Sequence, residues 1–155
     1  MKRKLTQHSN IRLLLLLALL TGCARAPVAA PPATPASRDA AEYAIQMVGK
    51  PYRYGGATTQ GFDCSGLVYF SFHRAGIKVP RSTSRLHKQG IPVATTHTAR
   101  GDLVFFNQDG KAFSHVGIYL GNDRFVHAPS TGKHVRVDSL TDPYWRKHWV
   151  GVRRF

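Results

Sequence analysis

Gly61-Phe62-Asp63-Cys64-Ser65-Gly66-Leu67-Val68 decides the reading of this chain. The segment passes from a turn into a helix that runs to Ala75, where Gly76 ends the pattern. A cysteine in the first turn of a helix sits among backbone N–H groups that have no helical partner, beside the positive end of the helix dipole. Both features favour a thiolate. The same N–H groups can stabilise an oxyanion during acyl transfer. Either Asp63 or Ser65 can cap the helix. Gly66 leaves room for another strand to approach closely.

A cysteine nucleophile needs a base, and eight histidines are available. His115 opens the run His-Val-Gly-Ile-Tyr-Leu, and His127 lies in Phe-Val-His-Ala-Pro. Gly121-Asn122-Asp123 between them predicts a β-hairpin. With all three residues in the turn, Leu120 faces Arg124 and Gly117 faces His127. His115 then shares a face with His127, offset diagonally by about 7–8 Å. A two-residue turn would shift the register by one and separate them. A base at His115, oriented by His127, therefore predicts the register. The competing reading of Cys64, His115 and His127 as zinc ligands lacks CxxC or HxxxH spacing. His73, His87, His97, His134 and His148 read as surface or packing residues.

Upstream, Met1 to Asn10 is basic, Ile11 to Leu20 is almost wholly apolar, and Leu20-Thr21-Gly22-Cys23 follows. A basic head and a core near ten residues, too short to span a bilayer, predict an export signal over residues 1–22. Residues 23–37 contain four prolines among small residues and predict a tether. The catalytic domain is expected over 38–155. Its first helix is expected to be capped at Asp39 with Glu42 as the capping-box acid, and to stop at Gly49 and Pro51. Pro80, Gly90 and Pro92 predict loops. Runs at 103–106, 116–120, 124–128, 135–137 and 149–153 read as strands. Helices first and strands second predict an α+β domain, with N-terminal helices packed on a C-terminal antiparallel sheet.

There are two cysteines, Cys23 and Cys64. If Cys23 is consumed by lipid, Cys64 has no disulfide partner in an oxidising compartment. The alternative is an inert buried thiol. The formal charge is +14, and the excess of basic residues survives removal of Lys2, Arg3, Lys4 and Arg12. Such a surface attracts polyanions. With an export signal and no nucleic-acid-binding motif, wall polymers or lipid head groups are expected rather than nucleic acid.

Tyr52-Arg53-Tyr54-Gly55-Gly56, Phe62 to Val68, Pro80-Arg81, Gly101 to Phe106, His115 to Gly121 and Phe125 to Ala128 together resemble the NlpC/p60 family of cell-wall cysteine peptidases. The Leu20-Thr21-Gly22-Cys23 junction similarly resembles a bacterial lipobox. The first resemblance implies a papain-like fold with Cys64 as nucleophile, His115 as base and His127 as third member. It places Tyr52 near the active site and Ser65 at the substrate pocket, and gives Arg81 no evident role. It implies amide hydrolysis in peptidoglycan stem peptides, at γ-D-glutamyl–diaminopimelate or D-Ala–diaminopimelate bonds, through a thioester. No metal or cofactor is expected. The second resemblance implies acylation of Cys23. Ala24 after it, not Asp, suggests the periplasmic face of a Gram-negative outer membrane. A monomer is expected. Two other readings are a non-catalytic wall-binding lipoprotein and a related Cys-His amidase or transferase.

Overall fold

The computed structural model of the protein describes residues 30–108 and 110–155. The expected export segment, the expected lipidation site Cys23 and the start of the expected tether lie outside the described residues. The later part of the expected tether is built into the domain. Thr34 caps the first helix, α1 (Pro35–Ile45), by accepting from Ser37 N–H at 3.1 Å. Pro35 suits the first turn, where its missing N–H would have had no partner. Ser37 is fully buried, and the Pro31 carbonyl accepts from Arg154. The packed domain thus begins before residue 38. The capping box expected at Asp39 and Glu42 is replaced by this earlier cap, and Glu42 pairs instead with Arg100 at 2.6 Å.

The small faces of Ala40, Ala41 and Ala44 let α1 lie close against α2 (Cys64–Arg74). Asp63 is the cap of α2, its carboxylate accepting from Gly66 N–H at 2.6 Å. A short hairpin, β1 (Ala57–Thr58) and β2 (Gly61–Phe62), leads into it. At Gly66 the close neighbour is the loop rather than a strand: a Cβ there would lie 1.9 Å from the Gly56 carbonyl oxygen. Helix α3 (Thr83–Gln89) and strand β3 (Ile91–Val93) occupy the stretch where only loops were expected. Each is too short to show a period, and Leu86 is the one fully buried residue of α3.

The last third forms β4 (Leu103–Gln108), β5 (Lys111–Gly121), β6 (Arg124–His127), β7 (Arg136–Ser139), helix α4 (Pro143–His148) and β8 (Trp149–Arg154). With β3 they make an antiparallel sheet in the order β3-β8-β4-β5-β6-β7. The domain is α+β, as the order of elements predicts. Both faces of the sheet are covered. Leu103 and Phe105 join Val116, Ile118 and Val126 under the helices. Val104 and Phe106 join Phe125, Trp145 and Val152 on the other face. A strand buried on both sides explains the unbroken apolar run of β4.

One buried ion pair ties the C-terminal strand to the start of β4. Asp102 is fully buried and accepts from Arg154 Nε and Nη2, both at 2.6 Å. It also accepts from Ala99 N–H at 2.8 Å.

Candidate active site

The β5–β6 hairpin brings the two key histidines together by a route the sequence does not display. Asn122 and Asp123 form a two-residue turn, both with positive φ (50° and 56°). Gly121 faces Arg124, whereas Tyr119 faces Phe125 and Ile118 faces Val126. Leu120 is therefore an extra residue, a bulge that offsets the shorter turn. Beyond the bulge the alternation is the expected one, so His127 falls opposite Gly117 and shares a face with His115. His115 Nε2 lies 2.7 Å from His127 Nδ1, and both side chains are buried. The indole of Trp145 stacks on His115 and stands edge-on to His127. The pair is thus walled from water by an aromatic side chain from α4.

The chain of contacts continues across β7. His127 Nε2 lies 3.0 Å from Asp138 Oδ2. That carboxylate accepts from Arg136 Nη2 at 2.8 Å and from the Trp145 indole N–H at 3.0 Å. His127 faces Arg136 in the β6–β7 register, so Asp138 stands to His127 as His115 does, diagonally by two on the same face. The expected strand at 135–137 stopped one residue short of Asp138. A cavity of about 740 Å³ opens beyond it, lined by Arg124, Lys133, Arg136 and Tyr144. Cys64 does not border that cavity.

Cys64 approaches from the helical side, at the first residue of α2. Its Sγ lies 3.7 Å from Thr83 Oγ1, and the backbone N–H groups of Val116 and Ser65 face the sulfur. Val116 adjoins His115, so the start of α2 meets β5 one residue from the imidazole. The hydrogen bond of the resting thiol runs to Thr83 rather than to His115. Burial pushes the Cys64 thiol up in pKa, opposed by the Thr83 hydroxyl and assisted by the Asp63 carboxylate. The helix N-terminus was expected to favour a thiolate; burial outweighs it. Burial also holds His115 well below the usual imidazole value, and His127 below it. At neutral pH the thiol and both imidazoles are consequently uncharged. Nε2 of His115 is engaged by His127, which leaves Nδ1 as the ring nitrogen outside that contact.

Asp63 and Ser65 belong to a cluster at the start of α2, flanking Cys64. Arg81 Nη1 donates to Asp63 Oδ1 and to Ser65 Oγ, both at 2.9 Å. Its Nη2 reaches Asp63 Oδ2 at 2.9 Å and the Gly56 carbonyl at 3.1 Å. Ser65 is buried within this cluster rather than standing free at a pocket wall. Arg81 thereby gains a role: it clamps the cap of α2 to the preceding loop. The Pro80-Arg81 pair marked the residue, but its partner lies 18 positions away in the chain. Tyr52 is partly buried within electrostatic reach of Cys64 and Asp63. Burial raises its phenol, and the Asp63 carboxylate and the ionised form of Cys64 act in the same direction. His73 stacks on Tyr69, and His87 stacks on Phe113 and meets Arg153. Among the described residues, no group of three or more His, Cys, Asp and Glu is placed to hold a metal ion.

The NlpC/P60 family profile matches residues 49–154. Murein DD-endopeptidase MepH of Escherichia coli is 41% identical over 115 residues, covering 71% of this chain and 42% of that protein. Murein DD-endopeptidase MepS/Murein LD-carboxypeptidase of Escherichia coli is 44% identical over 107 residues, covering 68% and 56%. The chain thus spans about half the length of these curated relatives. An NlpC/P60 family protein from Bacillus cereus superposes with a TM-score of 0.71 at 32% identity, covering 79% of this chain and 41% of that one.

Proposed function

The chain belongs to the NlpC/P60 family, and from that premise we propose that it is a cysteine endopeptidase of peptidoglycan stem peptides, with Cys64 as nucleophile and His115 as its base. The observation that carries the proposal is the buried imidazole pair. The 2.7 Å contact between His115 Nε2 and His127 Nδ1 holds one ring rigid, and the N–H of the next residue, Val116, faces the sulfur of a cysteine that opens a helix. Such a constellation suits acyl transfer.

Substrate entry brings Cys64 Sγ to the scissile carbonyl. His115 Nδ1 takes the thiol proton as the C–S bond forms, so charge separation is deferred until the attack itself. The Ser65 N–H, which faces the sulfur at the start of α2, stabilises the developing oxyanion in this reading. Collapse breaks the C–N bond, and His115 returns the proton to the leaving amine. A water molecule, deprotonated by the same imidazole, then attacks the thioester and frees Cys64 with the new carboxylate.

Two relatives carry the words DD-endopeptidase in their names, which favours the D-Ala–diaminopimelate cross-link over the γ-D-glutamyl–diaminopimelate bond. Mass spectrometry of cross-linked muropeptides after incubation with the full chain tests this. The expected products carry a D-Ala carboxylate and a diaminopimelate amine. Cleavage at the glutamyl bond would move the specificity, and intact muropeptides would remove the activity. The chain is further proposed to act as a monomer, tethered by an acylated Cys23 to the periplasmic face of the outer membrane. Palmitate labelling that persists in Cys23→Ser would sink that anchor.

A further inference from the structure

His127 poses a question that two histidines and a cysteine do not answer. A neutral imidazole has one N–H and one lone pair, and either nitrogen can hold the proton. In one arrangement His115 donates from Nε2 to His127, and its Nδ1 carries a lone pair for the thiol. In the other His127 donates from Nδ1, His115 accepts at Nε2, and His115 Nδ1 is protonated. The second arrangement has no base to offer Cys64. Both satisfy the 2.7 Å contact equally well.

We propose that Asp138 is the positioning residue of this site: through His127 it fixes the tautomer in which His115 can accept the Cys64 proton. An ionised carboxylate can only accept hydrogen bonds. At 3.0 Å from Asp138 Oδ2, His127 Nε2 must therefore be the protonated nitrogen. Neutral His127 then has its lone pair on Nδ1, so His115 Nε2 is the donor and His115 Nδ1 the base. The direction of both hydrogen bonds follows from one charge.

Asp138 is held in that state from several sides. Arg136 donates to both of its oxygens from Nε, at 3.0 Å each, and from Nη2 at 2.8 Å. The Trp145 indole N–H adds a third donor residue at 3.0 Å. Arg136 and His127 keep the carboxyl well below the usual carboxylate range although burial opposes them. Trp145 thus does two things: it covers both imidazoles with its ring and anchors the carboxylate with its N–H. The charges facing His115 are those of His127, Asp138 and Arg136, and His127 is also faced by Lys133. Of these, Asp138 alone raises imidazole basicity.

The inference rests on the reading of Cys64 and His115 as the hydrolytic pair. Asp138→Asn can turn its amide to donate to His127 Nε2, which admits the unproductive tautomer. For the full chain, kcat should fall about 10- to 100-fold with KM within about twofold, a magnitude typical of such supporting carboxylates. The acid limb of the kcat/KM profile should move to lower pH, because the one charge that favours the protonated imidazoles is gone. Asp138→Glu should recover part of kcat. A merely structural role predicts no shift of the limb. Tautomers in the unmodified, ¹⁵N-histidine-labelled chain give an arm that needs no variant. NMR should find His115 and His127 protonated at Nε2 at neutral pH, and a proton on His115 Nδ1 would overturn the proposal. So would an Asp138→Asn enzyme with kcat within twofold of the parent. Cleavage that survives Cys64→Ala would instead bring down the underlying reading and leave the tautomer result standing.

Discussion

A buried neutral imidazole sets how this site responds to pH. Burial lowers His115, so its lone pair survives into acid and the acid limb of kcat/KM should lie below the ordinary imidazole value of about 6.5. A limb at or above that value would mean that His115 is not the group titrating. The thiol behaves in the opposite sense. Its raised pKa predicts that iodoacetamide alkylates Cys64 more slowly than free cysteine at pH 7, catching up only at more alkaline pH. Fast labelling at pH 7 would reveal a resting thiolate. The same shifts bear on stability. His115 and His127 bind protons more readily unfolded than folded, so their contribution is intact above about pH 6.5 and falls as pH drops below it. Asp138, depressed in the folded state, adds a loss at lower pH, beginning near the ordinary aspartate value of about 3.9. At the residue scale the sequence displayed Cys64, His115, His127 and Tyr52. Asp138 was hidden because nothing local marks it; its partner is chosen by the pairing of β6 with β7.

Two local devices aim the chemistry, and they differ in how well the sequence shows them. The hairpin register was readable in its outcome but not in its turn. Asn122-Asp123 with positive φ is a tight two-residue turn, and the Leu120 bulge that offsets it leaves no mark in composition. The start of α2 was readable as a helix terminus, but the choice of Asp63 over Ser65 as cap needed Arg81, which arrives from a distant loop. This cluster tolerates little change. In Gly66→Ala the new methyl group would meet the Gly56 carbonyl at 1.9 Å, and backbone cannot yield as a side-chain tip can. The loop carrying Gly56 must shift, and with it the bond from Arg81 Nη2. Gly66→Ala should therefore lose most activity as well as stability. Arg81→Ala leaves Gly66 in place and should lower kcat by loosening the cap, with a smaller drop in melting temperature. Gly66→Ala with parental kcat would show that this contact is not tight in solution.

Across the whole molecule, the α+β order was legible because helical and strand-like runs fall in separate thirds of the chain. The domain's beginning was not, since the proline-rich composition of residues 24–37 reads as a tether until Thr34 and Pro35 are recognised as a helix start. The far end of the chain is pinned by Asp102 and Arg154. Removing one partner of a buried, doubly bonded pair typically costs about 3–5 kcal/mol. Asp102→Ala should destabilise by that order in denaturant unfolding while leaving the imidazole pair in place. A loss below about 1 kcal/mol would mean that the pair contributes little. The proposed hydrolysis depends on one thiol, that of Cys64. Cross-linked muropeptides incubated with the full chain and with its Cys64→Ala variant, compared by mass spectrometry, test it most directly. New stem-peptide termini are expected with the parent chain and none with the variant; cleavage at equal rates by both would remove Cys64 from the reaction.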